Sequence, residues 1–160
     1  MAWAKLYSEI KGTDNVNFDT GTITANTFIQ IMFYQVGHSG NSELYFNGDN
    51  ASTNYTRRGS ANGASDFTLT SEAHAENFLT AGTADPASLG IAYIVNISSE
   101  EKLIISHTCN QNTAGAAYAP TRSEITGKWA NTAAQITQIE VDDSGTGFDT
   151  GSAIAVIGTD

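Results

Sequence analysis

Short apolar or alternating runs, separated by clusters of Gly, Asn, Asp and Ser, follow one another along the whole chain, a pattern typical of all-β proteins. The strongest run, residues 27–36, is almost continuously apolar and predicts a central strand covered on both faces. Residues 91–97 and 102–107 are rich in Ile and Val, which favour strands, and the four residues between them predict a hairpin.

Weaker runs of the same kind follow along the chain, which is expected to form about nine or ten strands in all. They cover residues 3–10, 16–18, 44–46, 55–58, 67–69, 122–129, 135–141 and 153–157. Residues 71–79 are the one candidate helix, with Ser71 as N-cap and Glu72 in the first turn, although a strand fits equally well. We therefore expect one domain over residues 1–160, an antiparallel β-sandwich for which a jelly roll is the best fit.

Composition supports this class. Hydrophobic residues make up 40% of the chain and charged residues only 15%, so uncharged Asn, Thr, Ser and Gly supply much of the polar surface. The formal charge of −10 repels phosphates, which disfavours nucleic acid and anionic membrane surfaces as partners.

Cysteine usage and the chain start indicate the compartment of synthesis. Cys109 is the one cysteine, so no intrachain disulfide can form. The first residues lack the pattern of a secretory signal, and no apolar run approaches the ~20 residues that span a bilayer. Folding in a reducing cytoplasm is the expectation.

Residues that often carry chemistry are sparse. His38, His74 and His107 are scattered, and a single His-x-Cys step at Cys109 falls short of the paired ligands of a zinc site. Nothing near Cys109 marks a nucleophile. We therefore predict structural or surface roles for these side chains and no catalytic residue.

Carboxylates are numerous, and most lie in turns, where Asp binds its own backbone. The candidates for an acid pair of a polysaccharide-degrading enzyme are Asp49, Asp66, Glu72, Glu100, Glu101, Asp142, Asp143 and Asp149. The oxygen-rich turns at residues 14–19, 47–50 and 142–149 leave structural calcium as an open alternative, although the terminal Glu of a calcium loop is missing. No other cofactor is expected.

Two segments resemble stretches of bacteriophage and prophage virion structural proteins. The first has an FNGD…NY pattern made by Phe46, Asn47, Gly48, Asp49, Asn54 and Tyr55. The second is similar to a closing pattern W-x-N-T…I-T-x-I…G-x-F-x-x-G-S, made here by Trp129, residues 131–132 and 136–139, Gly147, Phe148, Gly151 and Ser152.

The resemblance implies a non-enzymatic virion component of the head-fibre, decoration or tail-associated kind, made in the host cytoplasm. Other virion proteins are then partners. Because a small sandwich has edge strands to protect, a symmetric homo-oligomer is expected, with a trimer as the first model.

Two other functions stay open from the residues alone. Trp and Tyr side chains could stack on sugars in a module that recognises host surface glycans. The candidates are Trp3, Trp129, Tyr7, Tyr34, Tyr45, Tyr55, Tyr93 and Tyr118. A polysaccharide-degrading tailspike-type enzyme is the third hypothesis.

Overall fold

The computed structural model describes residues 2–14, 17–36, 41–51, 53–80, 87–111, 113–145 and 147–160, with the backbone alone for residues 76–80. These residues form β-strands, turns and loops without a helix. The strands build two antiparallel sheets packed as a sandwich, so the predicted fold class is confirmed. The arrangement is compatible with a jelly roll.

Twelve strands are found in the described residues. They are β1 Ala4–Ile10, β2 Phe18–Asp19, β3 Phe28–Gln35, β4 Asn41–Phe46, β5 Tyr55–Ala61, β6 Phe67–Glu72, β7 Glu76–Thr80, β8 Ser88–Val95, β9 Lys102–Asn110, β10 Thr121–Trp129, β11 Ile139–Asp143 and β12 Ala153–Thr159. Eight of them form one sheet in the order β1-β12-β3-β8-β9-β10-β5-β6, and the other four form the order β2-β11-β4-β7.

The hairpin of β8 and β9 shows how local sequence produces this sheet. Ile94 lies opposite Ile104, and both point into the core. Ser99 takes a positive φ of 68° in the connecting turn. The buried Lys102 ends the turn, because its ammonium donates to the carbonyl oxygens of Glu100 and Asn131. The hairpin agrees with the sequence prediction.

Aromatic side chains join the two sheets. Phe18 of β2 packs edge-on against Phe33 of β3, with ring centroids 5.5 Å apart. Farther along, Phe46 of β4 meets Trp129 of β10 at 5.8 Å. These four rings are fully or almost fully buried, so the hydrophobic core lies between the sheets.

The prediction of a helix at residues 71–79 is wrong, and the alternative prediction of a strand agrees with the structure. Ser71 has a φ of 60° near the end of β6, a conformation that a helix does not use. The backbone then continues to β7, which pairs with β4. Between the two strands the amide of Ala75 donates to the carbonyl oxygen of Leu44 at 2.7 Å.

The expectation for residues 27–36 is met on one face only. β3 lies inside its sheet, between β12 and β8, and its inward side chains Ile29, Ile31 and Phe33 are buried. Its outward Met32 and Tyr34 are 38% and 43% exposed. Within the described residues, nothing covers the outer face of this strand.

Candidate functional site

The first motif segment folds around the side chain of Asp49. Its carboxylate accepts hydrogen bonds from the Trp129 indole at 2.7 Å and from the Asn54 amide at 2.8 and 2.9 Å. Tyr55 donates to the carbonyl oxygen of Asp49 and accepts from the amide of Phe46. Asp49 therefore ties Asn54 and the turn after β4 to β10, and both motif segments meet at this point.

Asn47 and Gly48 make the tight turn after β4, with φ values of 55° and 68°. The Asn47 side-chain oxygen accepts from the backbone amides of Thr137 and Gln138 at 2.9 and 3.0 Å. The Gly48 amide donates to Glu140 at 2.8 Å. These contacts connect the first motif to β11 and to the two residues that precede it.

The last motif residues shape the entry into β12. Gly147 and Gly151 have positive φ values of 93° and 95°, which glycine adopts without steric cost. Phe148 is fully buried and contacts the rings of Phe18 and Phe33 at 5.5 and 5.2 Å. The Ser152 hydroxyl accepts from the amide of Val36 at 2.9 Å. These motif residues thus hold the scaffold together.

The histidines and Cys109 occupy separate places. His74 is 12% exposed, and burial together with the nearby Arg57 guanidinium lowers its pKa to about 4. The Glu43 and Glu72 carboxylates lie 3.8 and 3.9 Å from its ring nitrogens without reversing that shift. His107 and Cys109 are exposed on the outer side of β9. His38 lies outside the described residues.

Two carboxylates of the oxygen-rich turns bind groups of the chain itself. Asp143 accepts from the amides of Gly145 and Gly147, and Asp14 accepts from Thr150. In the described part of the chain, no three His, Cys, Asp or Glu side chains converge on a point where a metal ion could bind. The calcium alternative gains no geometric support from these turns.

The outer face of the four-stranded sheet is acidic. We define the acidic face as the side chains of Asp19, Glu43, Glu140 and Asp142, which lie opposite one another or opposite Tyr45 in the strand register. Burial raises the pKa of both Glu43 and Glu140, and their acidic neighbours add to the effect. The Tyr45 hydroxyl donates a hydrogen bond to the Asp142 carboxylate.

The outer face of the eight-stranded sheet has the opposite character. Its apolar side chains come from five adjacent strands and the residue that precedes β1, and together they define the apolar face. They are Trp3, Ile10, Phe28, Met32, Tyr34, Leu89, Ile91, Tyr93, Val95, Leu103, Ile105, Ala153, Ala155 and Ile157. Leu103, Ile105 and Tyr93 are more than half exposed, and Ile10 is 73% exposed.

The strand register aligns these side chains in rows across the sheet. Ala153, Tyr34 and Leu89 form one row, and Ala155, Met32 and Ile91 form the next. Two depressions lie in the face. One of about 390 Å³ is bordered by Ile10 and the first row, and one of about 290 Å³ lies near Trp3, Phe28 and Tyr93.

The apolar face ends at β10. The outward positions of β10 and of its neighbour β5 carry charged side chains, namely Arg122, Glu124, Lys128 and Arg58. Lys128 donates to Glu101 at 2.7 Å, and Arg122 pairs with Glu124. The same sheet surface is therefore divided into an apolar part and a charged part.

The exposed apolar face was not among the predictions from the sequence, although the sequence contains a signal for it. Residues 27–36 and 91–97 are apolar at odd and even positions alike, which predicts burial on both sides of a strand. The structure satisfies only the inner side within one chain.

Comparisons with protein-family models, with curated proteins and with solved structures found no match. The described residues include no helix with the length and apolar character needed to cross a membrane. Inference about function therefore depends on the geometry of the faces and on the motif residues.

Proposed function

We propose that the chain is a non-enzymatic structural component of a tailed-phage-like virion, of the capsid-decoration, head-fibre or tail-associated kind. In this role it assembles as a homo-oligomer and contacts other virion proteins. The observation that carries the proposal is the apolar face, because contiguous exposed apolar surface on this scale marks an association site.

Two further features support an assembly role. The eight-stranded sheet has edge strands at β1 and β6, and assembly is one way to protect such edges. The motif residues that resemble virion proteins hold the turns through buried contacts, as the Asp49 bond to Trp129 illustrates. A rigid scaffold with a defined contact surface is what a virion subunit needs.

The test is to purify particles from the parent phage or induced prophage by density gradient and to identify their proteins by mass spectrometry. We expect the chain to co-purify with the capsid protein at a fixed stoichiometry after a high-salt wash. The chain found only in the soluble fraction of lysed hosts, with capsid protein recovered normally, would contradict the proposal.

A second candidate function is recognition of host surface glycans. It is favoured by Trp3, Phe28, Tyr34 and Tyr93, whose rings are 39–51% exposed on one face and can stack on sugars. A glycan array tests it with Tyr93→Ala and, as a control away from that face, Tyr118→Ala. Binding that Tyr93→Ala alone abolishes supports this function. A blank array for the unmodified chain excludes it for the glycans tested.

A further inference from the structure

We propose that a second copy of this chain covers the apolar face, sheet against sheet, about a two-fold axis that runs along β3. The inference rests on the proposed function, because it assumes a self-assembling subunit, and it specifies the partner and the geometry. Four observations lead to it: the size of the face, its position in the sheet, the sizes of its side chains and the pattern of strand burial.

The face is large enough for a stable dimer. Five strands at about 4.8 Å spacing are about 24 Å wide, and an eight-residue strand is about 27 Å long. The face therefore measures about 650 Å² per copy, or about 1,300 Å² for two, within the range of about 1,200–2,000 Å² for specific interfaces.

The position of β3 selects the axis. β3 is the middle strand of the apolar series β1-β12-β3-β8-β9, and the charged strands β10 and β5 follow on one side only. A two-fold axis along β3 superposes the five strands of the two copies and leaves β10 and β5 outside the interface, with Lys5 of the edge strand β1 at the margin of the interface. An axis across the strands would bring Arg122 of one copy near Lys128 of the other, and burying these charges is costly.

In two adjacent rows, side-chain size on the two sides of β3 is complementary. On one side β12 presents the small Ala153 and Ala155, and on the other β8 presents the larger Leu89 and Ile91 in the same rows. The axis along β3 places Leu89 of the second copy over Ala153 and Ile91 over Ala155. The depression of about 390 Å³ beside Ala153 and Ala155 then receives these larger side chains.

This pairing tolerates the usual rotation between packed sheets. Aligned sheets cross at about 30°, which shifts a contact one strand from the axis by about 2.5 Å along the strand. Rows on one face are about 6.8 Å apart, since every second residue points outward. Ile91 therefore stays closer to Ala155 of the second copy than to Ala153.

The burial pattern points to the same occupant. The sequence of β3 reads as a strand covered on both faces, and one copy covers only the inner face. A second copy of β3 supplies the missing cover, with Met32 near its own counterpart at the axis.

Complementary charges test the row alignment. Ile91→Lys or Ala155→Glu alone places unpaired charges in the interface, and we expect each to raise the dimer dissociation constant at least about 50-fold in sedimentation velocity. When the two variants are mixed, the introduced ammonium of one chain meets the introduced carboxylate of the other. We expect the mixture to form heterodimers at least about 10-fold more tightly than either variant self-associates.

The matched control replaces Ala155→Glu with Ala153→Glu, which lies one row away and should restore much less association with Ile91→Lys. Because all three positions face outward, the circular dichroism spectra should match that of the unmodified chain, and so should thermal unfolding when the chains are compared as monomers at low concentration. Heterodimers of equal strength with both Glu variants would overturn the alignment along β3.

Other outcomes separate this inference from the proposed function. A trimer mass for the unmodified chain would overturn the two-fold geometry and leave self-assembly standing. A monomer that nevertheless co-purifies with particles would overturn the second copy as occupant and leave the virion role standing. A dimer with the expected charge rescue, but absent from particles, would remove the virion role alone.

Discussion

The two outer faces of this sandwich belong to one antiparallel fold and have opposite chemistry. The four-stranded sheet presents carboxylates, including Glu140 and Asp142, where polar side chains usually meet water. The eight-stranded sheet presents Met32, Tyr34 and Tyr93 at comparable outward positions. Along the strands of the smaller sheet, apolar inward side chains thus alternate with polar outward ones. Over much of the larger sheet, both the inward and the outward side chains are apolar.

The difference separates folding from association. The inner faces of both sheets already form a buried core of Ile, Phe and Tyr side chains. The outward apolar residues add nothing to that core, and exposing them invites aggregation. They are explained if another surface covers them. The acidic face contributes to a chain charge of −10, which disfavours association of two copies through that face.

The largest expected effect comes from the inner contacts that both sheets share. Trp129→Ala removes a fully buried ring that contacts Phe46 and donates to Asp49, so the free energy of unfolding should fall by about 4 kcal/mol. Denaturant titration measures it. The control Thr126→Ala, on the outer side of the same strand, should change it by less than about 0.5 kcal/mol. If both variants lost the same free energy of unfolding, the inner faces would not be the main source of stability.

The next effect separates the outer faces directly. Met32→Lys places a charge at the centre of the apolar face and should weaken self-association about 100-fold without changing unfolding of the monomer. Glu140→Gln, on the acidic face, keeps an oxygen for the Gly48 amide and should change association less than about twofold. Sedimentation velocity at matched salt gives both values. A stronger effect from Glu140→Gln would reverse the roles of the faces.

A smaller effect concerns His74, which lies beside Glu43 of the acidic face. With its folded pKa lowered to about 4 from an ordinary 6.5, the unfolded chain binds this proton more readily. The free energy of unfolding is therefore highest above pH 6.5, as far as His74 is concerned, and it falls as the pH drops toward 4. The loss amounts to about 2 kcal/mol when solvent screening is taken into account.

Denaturant titrations at pH 7 and 4.5 measure this loss, which His74→Gln should largely remove. His107→Gln, at an exposed site on β9, should leave the pH dependence unchanged. The raised pKa of Glu43 acts in the opposite direction, so the comparison with the variant isolates the histidine. An unchanged pH dependence in His74→Gln would rule out this origin.

The smallest effect is protection of Cys109. Its exposed thiol lies in the row of Leu89, and the proposed dimer places Ile10 of the second copy over it. Maleimide should label Cys109 about threefold more slowly at high than at low chain concentration. The reason is that labelling occurs in the monomer, whose fraction falls as the dimer forms. In Met32→Lys the rate should not depend on concentration. The same slowing in that variant would assign the protection to something other than the dimer.

Local patterns predicted most of the fold. Alternating and β-branched runs identified the strands, and the hairpin of β8 and β9 follows from its Ile and Val content. Residues 71–79 were ambiguous because their apolar spacing fits neither period, and pairing of β7 with β4 decided the outcome. Such pairing joins segments far apart in sequence, which local propensity does not encode.

The candidate site was harder to predict. Strand order is needed to see that Ile10, Met32 and Leu89 share one surface, because they come from three separate parts of the chain. The bond between Asp49 and Trp129 likewise joins residues 80 positions apart. The almost continuous apolar run of residues 27–36 did predict cover on both faces, but a single chain does not reveal what covers the outer face.

We propose above that the outer face of the eight-stranded sheet binds a second copy of the chain. Light scattering coupled to size exclusion tests it on the unmodified chain over a wide concentration range at moderate salt, which screens the repulsion between negative chains. We expect the mass to rise with concentration from 16.9 kDa to about twice that value. A mass that stays at 16.9 kDa at the highest concentration would show that this face does not bind a second copy.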